Sequence, residues 1–266
     1  MTSIIVSHGI DQSGDAPVAL RCYTTYARVA MDAVQKIKWI ADQLLGAYKH
    51  QAIQLQDPVE NLVLTILSQN TTDINRDRAF HSLIASFASL DNVVAASVDD
   101  IAASIQSGGL QQQKARSIRE ALSRIVAKQG KLDLGFLGDL ALEEALRWLL
   151  ALPGVGPKTA SIVLLFSFNR PVFPVDTHIR RVMSRMGLVQ EQGDPHEALN
   201  ALLPADHRLM QQLHLLTIRL GREVCHPRKP SCEQCPLLAM CMWSQAHGLP
   251  MTDRVTSPHK REASKQ

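Results

Sequence analysis

The 266 residues, 45% apolar and 20% charged, suffice for one large or two smaller domains with a buried core and do not fit a disordered chain. Aromatics are sparse at 5% while Ala, Leu, Ile and Gln are plentiful, a balance that favours helices over a β-sandwich. A formal net charge of +3 admits a polyanionic partner without demanding one, and no run reaches the ~18 apolar residues of a membrane span.

Residues 1–27 lack a strong period and read as a loose extension. They show neither a secretory signal nor an Arg-rich transit segment, so a cytoplasmic location is the default expectation. From Ala30 the pattern turns helical, with Val34, Ile37, Ile40, Ala41 and Leu44 recurring every three or four residues. Pro58 opens a second helix through Leu62, Leu64, Ile66 and Leu67, and the polar Ser68-Gln69-Asn70-Thr71-Thr72-Asp73 breaks it. Ala79, Phe80, Leu83 and Ile84 mark a third helix, and a new segment starts at Asp91-Asn92. Ser97 is placed to cap a helix carrying Ile101 and Ile105, which Gly108-Gly109 ends. Further helices are predicted over Lys114–Val126, stopped by Gly130, and over Leu142–Ala151, Pro157–Phe168, Asp176–Met186 and Gln211–Leu220. The polar tail after Met251 reads as disordered.

Leu152-Pro153-Gly154-Val155-Gly156-Pro157-Lys158-Thr159-Ala160 joins two of these helices. Gly154 and Gly156 supply backbone freedom and close approach, and Val155 can tuck between the helices as a small plug. Exposed amides at the start of the next helix, with its dipole, make a phosphate site that reads no base sequence. Lys158 stands in that first helical turn, where the dipole and loss of water both work against an ammonium and favour a nucleophilic amine. The bland alternative is a surface lysine that only touches phosphate.

Asp176, in Val175-Asp176-Thr177-His178, is a plausible N-cap for the helix carrying Ile179, Val182 and Met186. Its functional reading is a carboxylate facing the same cleft as Lys158, steadying positive charge on a sugar and helping to deprotonate the amine. The chain must double back between them, and Asn169-Arg170-Pro171 permits it.

Of five cysteines, Cys225, Cys232, Cys235 and Cys241 fall within 17 residues and Cys22 stands apart without an assigned role. This is a four-thiolate metal or cluster site rather than a secreted disulfide framework, and spacing alone leaves zinc and iron–sulfur open. Arg228 and Lys229, in a loop stiffened by Pro227 and Pro230, suit phosphate contact.

Together these pieces resemble the endonuclease III family of helix–hairpin–helix DNA glycosylases over roughly residues 30–245. The resemblance rests on Leu152–Ala160, on Val175–Ile179, on Gly221-Arg222, and on the C-x6-C-x2-C-x5-C spacing, which in that family holds a 4Fe-4S cluster. It implies an all-α, two-domain fold: a six-helix barrel domain over residues 60–170, a cluster domain from residues 28–59 and 171–250, and flexible ends at 1–27 and 251–266. It makes Lys158 and Asp176 catalytic, and Cys225, Cys232, Cys235 and Cys241 the cluster ligands. Gly154, Gly156, Arg228 and Lys229 would bind DNA. Gln69 or Asn70 would fill the hole left by an extruded nucleotide, and Leu110 would wedge into the stack. A core leucine at a helix start is the alternative for Leu110.

The implied activity is that of a bifunctional glycosylase and abasic-site lyase. It would act, as a monomer away from membranes, on double-stranded DNA with a damaged base, by family default an oxidised pyrimidine, or with an abasic site. Three rivals remain at this level. A monofunctional glycosylase would lack a lysine at position 158. A non-catalytic DNA-binding protein with a structural cluster would leave Lys158 and Asp176 idle. An electron carrier would have no use for the hairpin.

Overall fold

The computed structural model describes residues 31–190 and 192–248, so the two flexible ends expected from sequence lie outside the described residues. Within them all regular structure is helical: α1 (Ala33–Ala47), α2 (Pro58–Leu67), α3 (Asp73–Phe87), α4 (Leu90–Ala95), α5 (Val98–Ser104), α6 (Gln111–Gln129), α7 (Leu142–Leu150), α8 (Pro157–Phe168), α9 (Thr177–Arg185), α10 (Pro195–Leu202), α11 (His207–Glu223) and α12 (Met242–Ala246). Short 3₁₀ turns sit at Gln106–Gly108, Gly135–Gly138, Cys232–Gln234 and Leu238–Met240. None of these helices is long and apolar enough to cross a membrane.

Local chemistry sets the helix starts. Asp32 and Gln35 form a reciprocal capping box on α1. Asp57 caps α2 with Pro58 in the first turn, Ser97 caps α5, and Asp206 caps α11. Capping extends α11 four residues before the predicted start at Gln211, because Asp206 accepts from the backbone amides of Arg208 and Leu209. The sequence reading passed over α10, although Asp194 followed by Pro195 is a cap-and-proline start of the same kind.

The helices bury their apolar faces in two separate clusters. Leu62, Val63, Ile66, Leu83, Ile101, Ile118, Leu122, Leu149, Val155 and Val163 belong to the first. Ile37, Leu44, Phe173, Ile179, Met183, Leu213 and Leu220 belong to the second. The chain begins in the second with α1, builds the first from α2 to α7, and returns through α8. Within one turn of α8, Val163 and Leu164 belong to the first cluster and Leu165 and Phe166 to the second.

Buried amides tie that shared helix in place. Asn61 of α2 donates to Ser167 Oγ at 3.0 Å, and Gln211 of α11 donates to Leu165 O at 2.9 Å and to Asn169 Oδ1 at 3.0 Å. Buried side-chain donors without acceptors would each cost about 1–3 kcal/mol, so these bonds fix the angle of α8 between the clusters. Asn169 ends α8 in the left-handed region at φ 52°, and there the chain turns back.

Candidate active site

The hairpin before α8 is shaped by its glycines for different reasons. Gly154 has φ +74°, and a Cβ there would lie 2.5 Å from Ser117 Oγ of α6, so both conformation and packing require glycine. A Cβ on Gly156 would meet no atom of the protein within 4 Å. The fold does not demand glycine at 156, and its bareness leaves the outer face of the turn open. Val155 is buried in the first cluster, as the plug reading expected. The α8 N-terminus has no side-chain cap, so its first-turn donors point outward unclaimed by the protein's side chains. Lys158 lies in this turn, half-buried.

The extended segment after α8 delivers Asp176. Asn200 brackets Phe173, accepting from its N–H at 2.7 Å and donating to its carbonyl at 3.1 Å. The next residue is held by His214 of α11, whose Nδ1 lies 3.1 Å from Pro174 O. A carbonyl only accepts, so Nδ1 carries the proton and Nε2 the lone pair. The imidazole is buried between the edges of Phe166 and Phe173, at 5.6 and 6.2 Å. Burial pulls it down to about 4, against the pull of Asp176, so it is neutral at pH 7. Asp176 then caps α9, with Oδ1 accepting from Ile179 N–H at 2.8 Å. The bland reading of Asp176 as a cap therefore holds locally, and the cap bond uses one carboxylate oxygen.

Lys158 and Asp176 both lie within electrostatic reach of this histidine, Asp176 favouring its protonation and Lys158 opposing it. Lys158 also acts on Asp73, and Asp176 on Arg222 and His178. Asp73 and Arg222 are themselves joined by two hydrogen bonds between the start of α3 and the end of α11, the longer at 3.2 Å. This ion pair between α3 and α11 is thus within electrostatic reach of the lysine and the aspartate. Sequence reasoning missed His214 and Asp73, since 149 residues separate Asp73 from its arginine partner. Only Arg222 had a signal, its place beside Gly221 before the cysteines.

The loops on the first cluster hold the remaining candidates. Gln69 is half-buried and donates to Gly154 O at 3.0 Å, stitching its loop to the hairpin. Asn70 is exposed at φ 52°. Leu110 is 50% exposed at φ 49°, preceded by Gly109 at φ 66°. A leucine held left-handed costs about 1–2 kcal/mol, and this one gains little burial in return. The core-leucine alternative for Leu110 is therefore corrected. Ile74, next to the Asn70 loop, is 72% exposed and was not singled out from sequence.

Cys225, Cys232, Cys235 and Cys241 line one cavity with Arg185, Val224, Pro230, Leu238 and Trp243. None of the four is in a disulfide. Burial, reinforced by the neighbouring thiolates, pushes Cys235 up to about 12 and raises Cys232. Four sulfurs in such a cavity repel one another as thiolates unless positive metal compensates them, so the donor set fits an iron–sulfur group.

The model of the HhH-GPD superfamily base excision DNA repair protein matches residues 63–204, and that of the iron–sulfur binding domain of endonuclease III matches residues 225–241. The chain is 37% identical to endonuclease III of Thermotoga maritima over 194 residues, which is 72% of this chain and 86% of that one. The chain belongs to the endonuclease III family. Endonuclease III of Sulfolobus acidocaldarius is 34% identical over 187 residues, 68% of this chain and 80% of its own. A non-covalent endonuclease III–DNA complex superimposes with a TM-score of 0.69 at 26% identity, covering 82% of this chain and 99% of the other. A trapped endonuclease III–DNA covalent intermediate gives the same TM-score and identity, covering 82% of this chain and all of the other. This endonuclease III family member is a base excision repair DNA glycosylase with a 4Fe-4S cluster, and DNA is its partner.

In this family member, α9 links the cysteine loop to Asp176, its N-cap. Arg181 donates to Cys225 O at 2.9 Å and to Gly221 O at 2.7 Å. One turn on, Arg185 donates to Cys225 Sγ at 3.1 Å, to His226 O and to Pro227 O, both at 2.8 Å, and lies 4.6 Å over the Trp243 ring. Planar guanidinium forks suit this multiple carbonyl capture better than lysine would. Beyond the clamp, Arg228 and Lys229 are exposed.

Proposed function

We propose that this chain is a bifunctional glycosylase and abasic-site lyase in which Lys158 is the nucleophile and Asp176 its electrostatic partner. The reading is supported by the electrostatic reach of both charges to one buried, neutral imidazole, His214, and by the bare hairpin turn that precedes Lys158. The damaged nucleotide must first leave the helix, at a cost of a few kcal/mol that is least for a damaged base. Amides of the hairpin and of the α8 N-terminus hold a phosphate while this happens. Asn70 fills the vacancy, since Gln69 is engaged with Gly154 O, and Leu110 enters the stack.

The Lys158 amine then attacks C1′ and the C1′–base bond breaks. The base leaves with its bonding pair and takes up a proton. Asp176 stabilises the positive charge that develops on the sugar and accepts a proton from the attacking amine. Ring opening gives a Schiff base at C1′ that acidifies C2′–H. Loss of that proton expels the 3′ phosphate and cuts the strand. Cys225, Cys232, Cys235 and Cys241 would hold the cluster, and the loop bearing Arg228 and Lys229 would contact the DNA backbone. Base release and elimination move protons and a sugar bond and call for no electron transfer. We infer oxidised pyrimidines as the lesion class, by analogy with the family.

Lys158→Gln tests the assignment. It should abolish incision of an abasic-site duplex and borohydride trapping, with affinity for the same duplex kept. Undiminished trapping refutes it. A panel of single-lesion duplexes, thymine glycol among them, tests the substrate class.

A further inference from the structure

The first turn of α6 contains a lysine that the chemistry above leaves unused. Lys114 is only 2% exposed, and its Nζ donates to Leu67 O and to Gly108 O, each at 2.7 Å. Buried lysines are rare and are normally paired with a carboxylate. This one has two carbonyls, and burial alone lowers its affinity for a proton. A methionine of similar length would pack there without desolvating an amine, provided the two carbonyls were not at issue.

Those carbonyls have a distinctive address. Leu67 ends α2, directly before Ser68-Gln69-Asn70, and a cation there also complements the helix C-terminus. Gly108 closes the 3₁₀ turn directly before Gly109-Leu110. The Lys114 backbone N–H, in addition, donates to Leu110 O at 3.0 Å. One residue therefore grips two loops 40 residues apart in sequence, one bearing Asn70 at φ 52° and the other Leu110 at φ 49°. Glycine at 108 lets this turn approach α3, since a Cβ on it would press Ala79 Cβ at 3.3 Å, with Lys114 Nζ at 4.0 Å.

We propose that Lys114 is a positioning residue that holds Asn70 and Leu110 at a fixed separation, so that both enter the DNA stack together when a nucleotide is extruded. The inference rests on the assignment of Asn70 and Leu110 as void-filling residues. Misplacing such groups by about 1 Å can cost about 10²-fold in rate, so the lysine acts on base release while touching no DNA itself.

The test uses the full chain with its cluster and a duplex carrying a tetrahydrofuran abasic analogue opposite 2-aminopurine, whose fluorescence reports intrusion into the stack. Asn70→Ala and Leu110→Ala should each reduce the fluorescence change at saturation. Lys114→Met should reduce it as much, with Lys114→Gln intermediate, while the melting transition stays cooperative and the cluster's visible absorbance is kept. Adding Lys114→Met to the Asn70→Ala, Leu110→Ala double variant should reduce it no further, because the lysine works through those two side chains. A full signal in Lys114→Met alongside a reduced one in Leu110→Ala overturns the positioning role and leaves the wedge assignment standing. No loss in either Asn70→Ala or Leu110→Ala overturns the premise, and the proposal with it. Loss of the cooperative melt or of the cluster in both lysine variants also overturns it, in favour of a folding role.

Discussion

Asp176 is both a helix cap and a proposed participant in the chemistry, and two substitutions separate the roles by magnitude. Asparagine caps helices as well as aspartate. In Asp176→Asn the amide oxygen can keep the 2.8 Å bond from Ile179 N–H, and the helix loses only a negative charge at its N-terminus, about 0.3–1 kcal/mol. Asp176→Ala loses the cap as well, about 1 kcal/mol more. For a chain of this size each kcal/mol lowers the melting temperature by about 2–4 °C, so the alanine variant melts clearly below the asparagine variant. Activity is expected to order differently. A carboxylate acting as general base contributes about 10²–10⁴-fold, and even the lower figure is about 2.7 kcal/mol of barrier, more than either stability change. Single-turnover base release should therefore fall at least about 10²-fold in both variants alike. Calorimetry and quenched-flow base release on one lesion duplex decide it. A normal rate in Asp176→Asn, or rate losses that follow the melting temperatures, would reduce Asp176 to a cap.

The two hairpin glycines should behave oppositely. Gly154→Ala forces a left-handed backbone onto alanine and drives its Cβ into Ser117, so it should destabilise the fold by about 1–3 kcal/mol. Gly156→Ser keeps an extended cap residue with open space around it, so the melting temperature should hold or rise while affinity for abasic-site DNA falls. Unchanged affinity would mean that DNA does not approach this turn. The Asp73–Arg222 bridge is about half exposed, so Asp73→Asn should cost about 0.2–1 kcal/mol. Arg222 holds the Asp73 carboxyl below its ordinary 3.8, against a smaller opposing effect of burial. The bridge's contribution is therefore complete above the unfolded value and disappears as pH falls through the lower folded one. Wild-type and Asp73→Asn unfolding free energies should differ near neutral pH and converge in acid, and a gap that widens in acid would contradict this.

Much of this molecule was written in local chemistry. Gly154-Val155-Gly156 is legible because only certain backbones make so tight a turn, and Cys225 to Cys241 because four thiolates within one reach have few uses. The caps at Ser97 and Asp176 show because a side-chain oxygen bonding an amide three residues on is a short-range event. What the chain could not announce is which distant groups fill the same space. His214 reads as one more polar residue on a helix, and Lys114 as one more basic one. Both are consequential because folding takes them out of water, where one imidazole nitrogen and one ammonium must find carbonyls, those of Pro174, Leu67 and Gly108. Likewise Asp73 and Arg222 are ordinary surface charges until α3 and α11 are brought together. Burial and long-range pairing belong to the packed chain, so the partners around the candidate site were settled by tertiary structure, while the proposed reacting groups could be named from sequence.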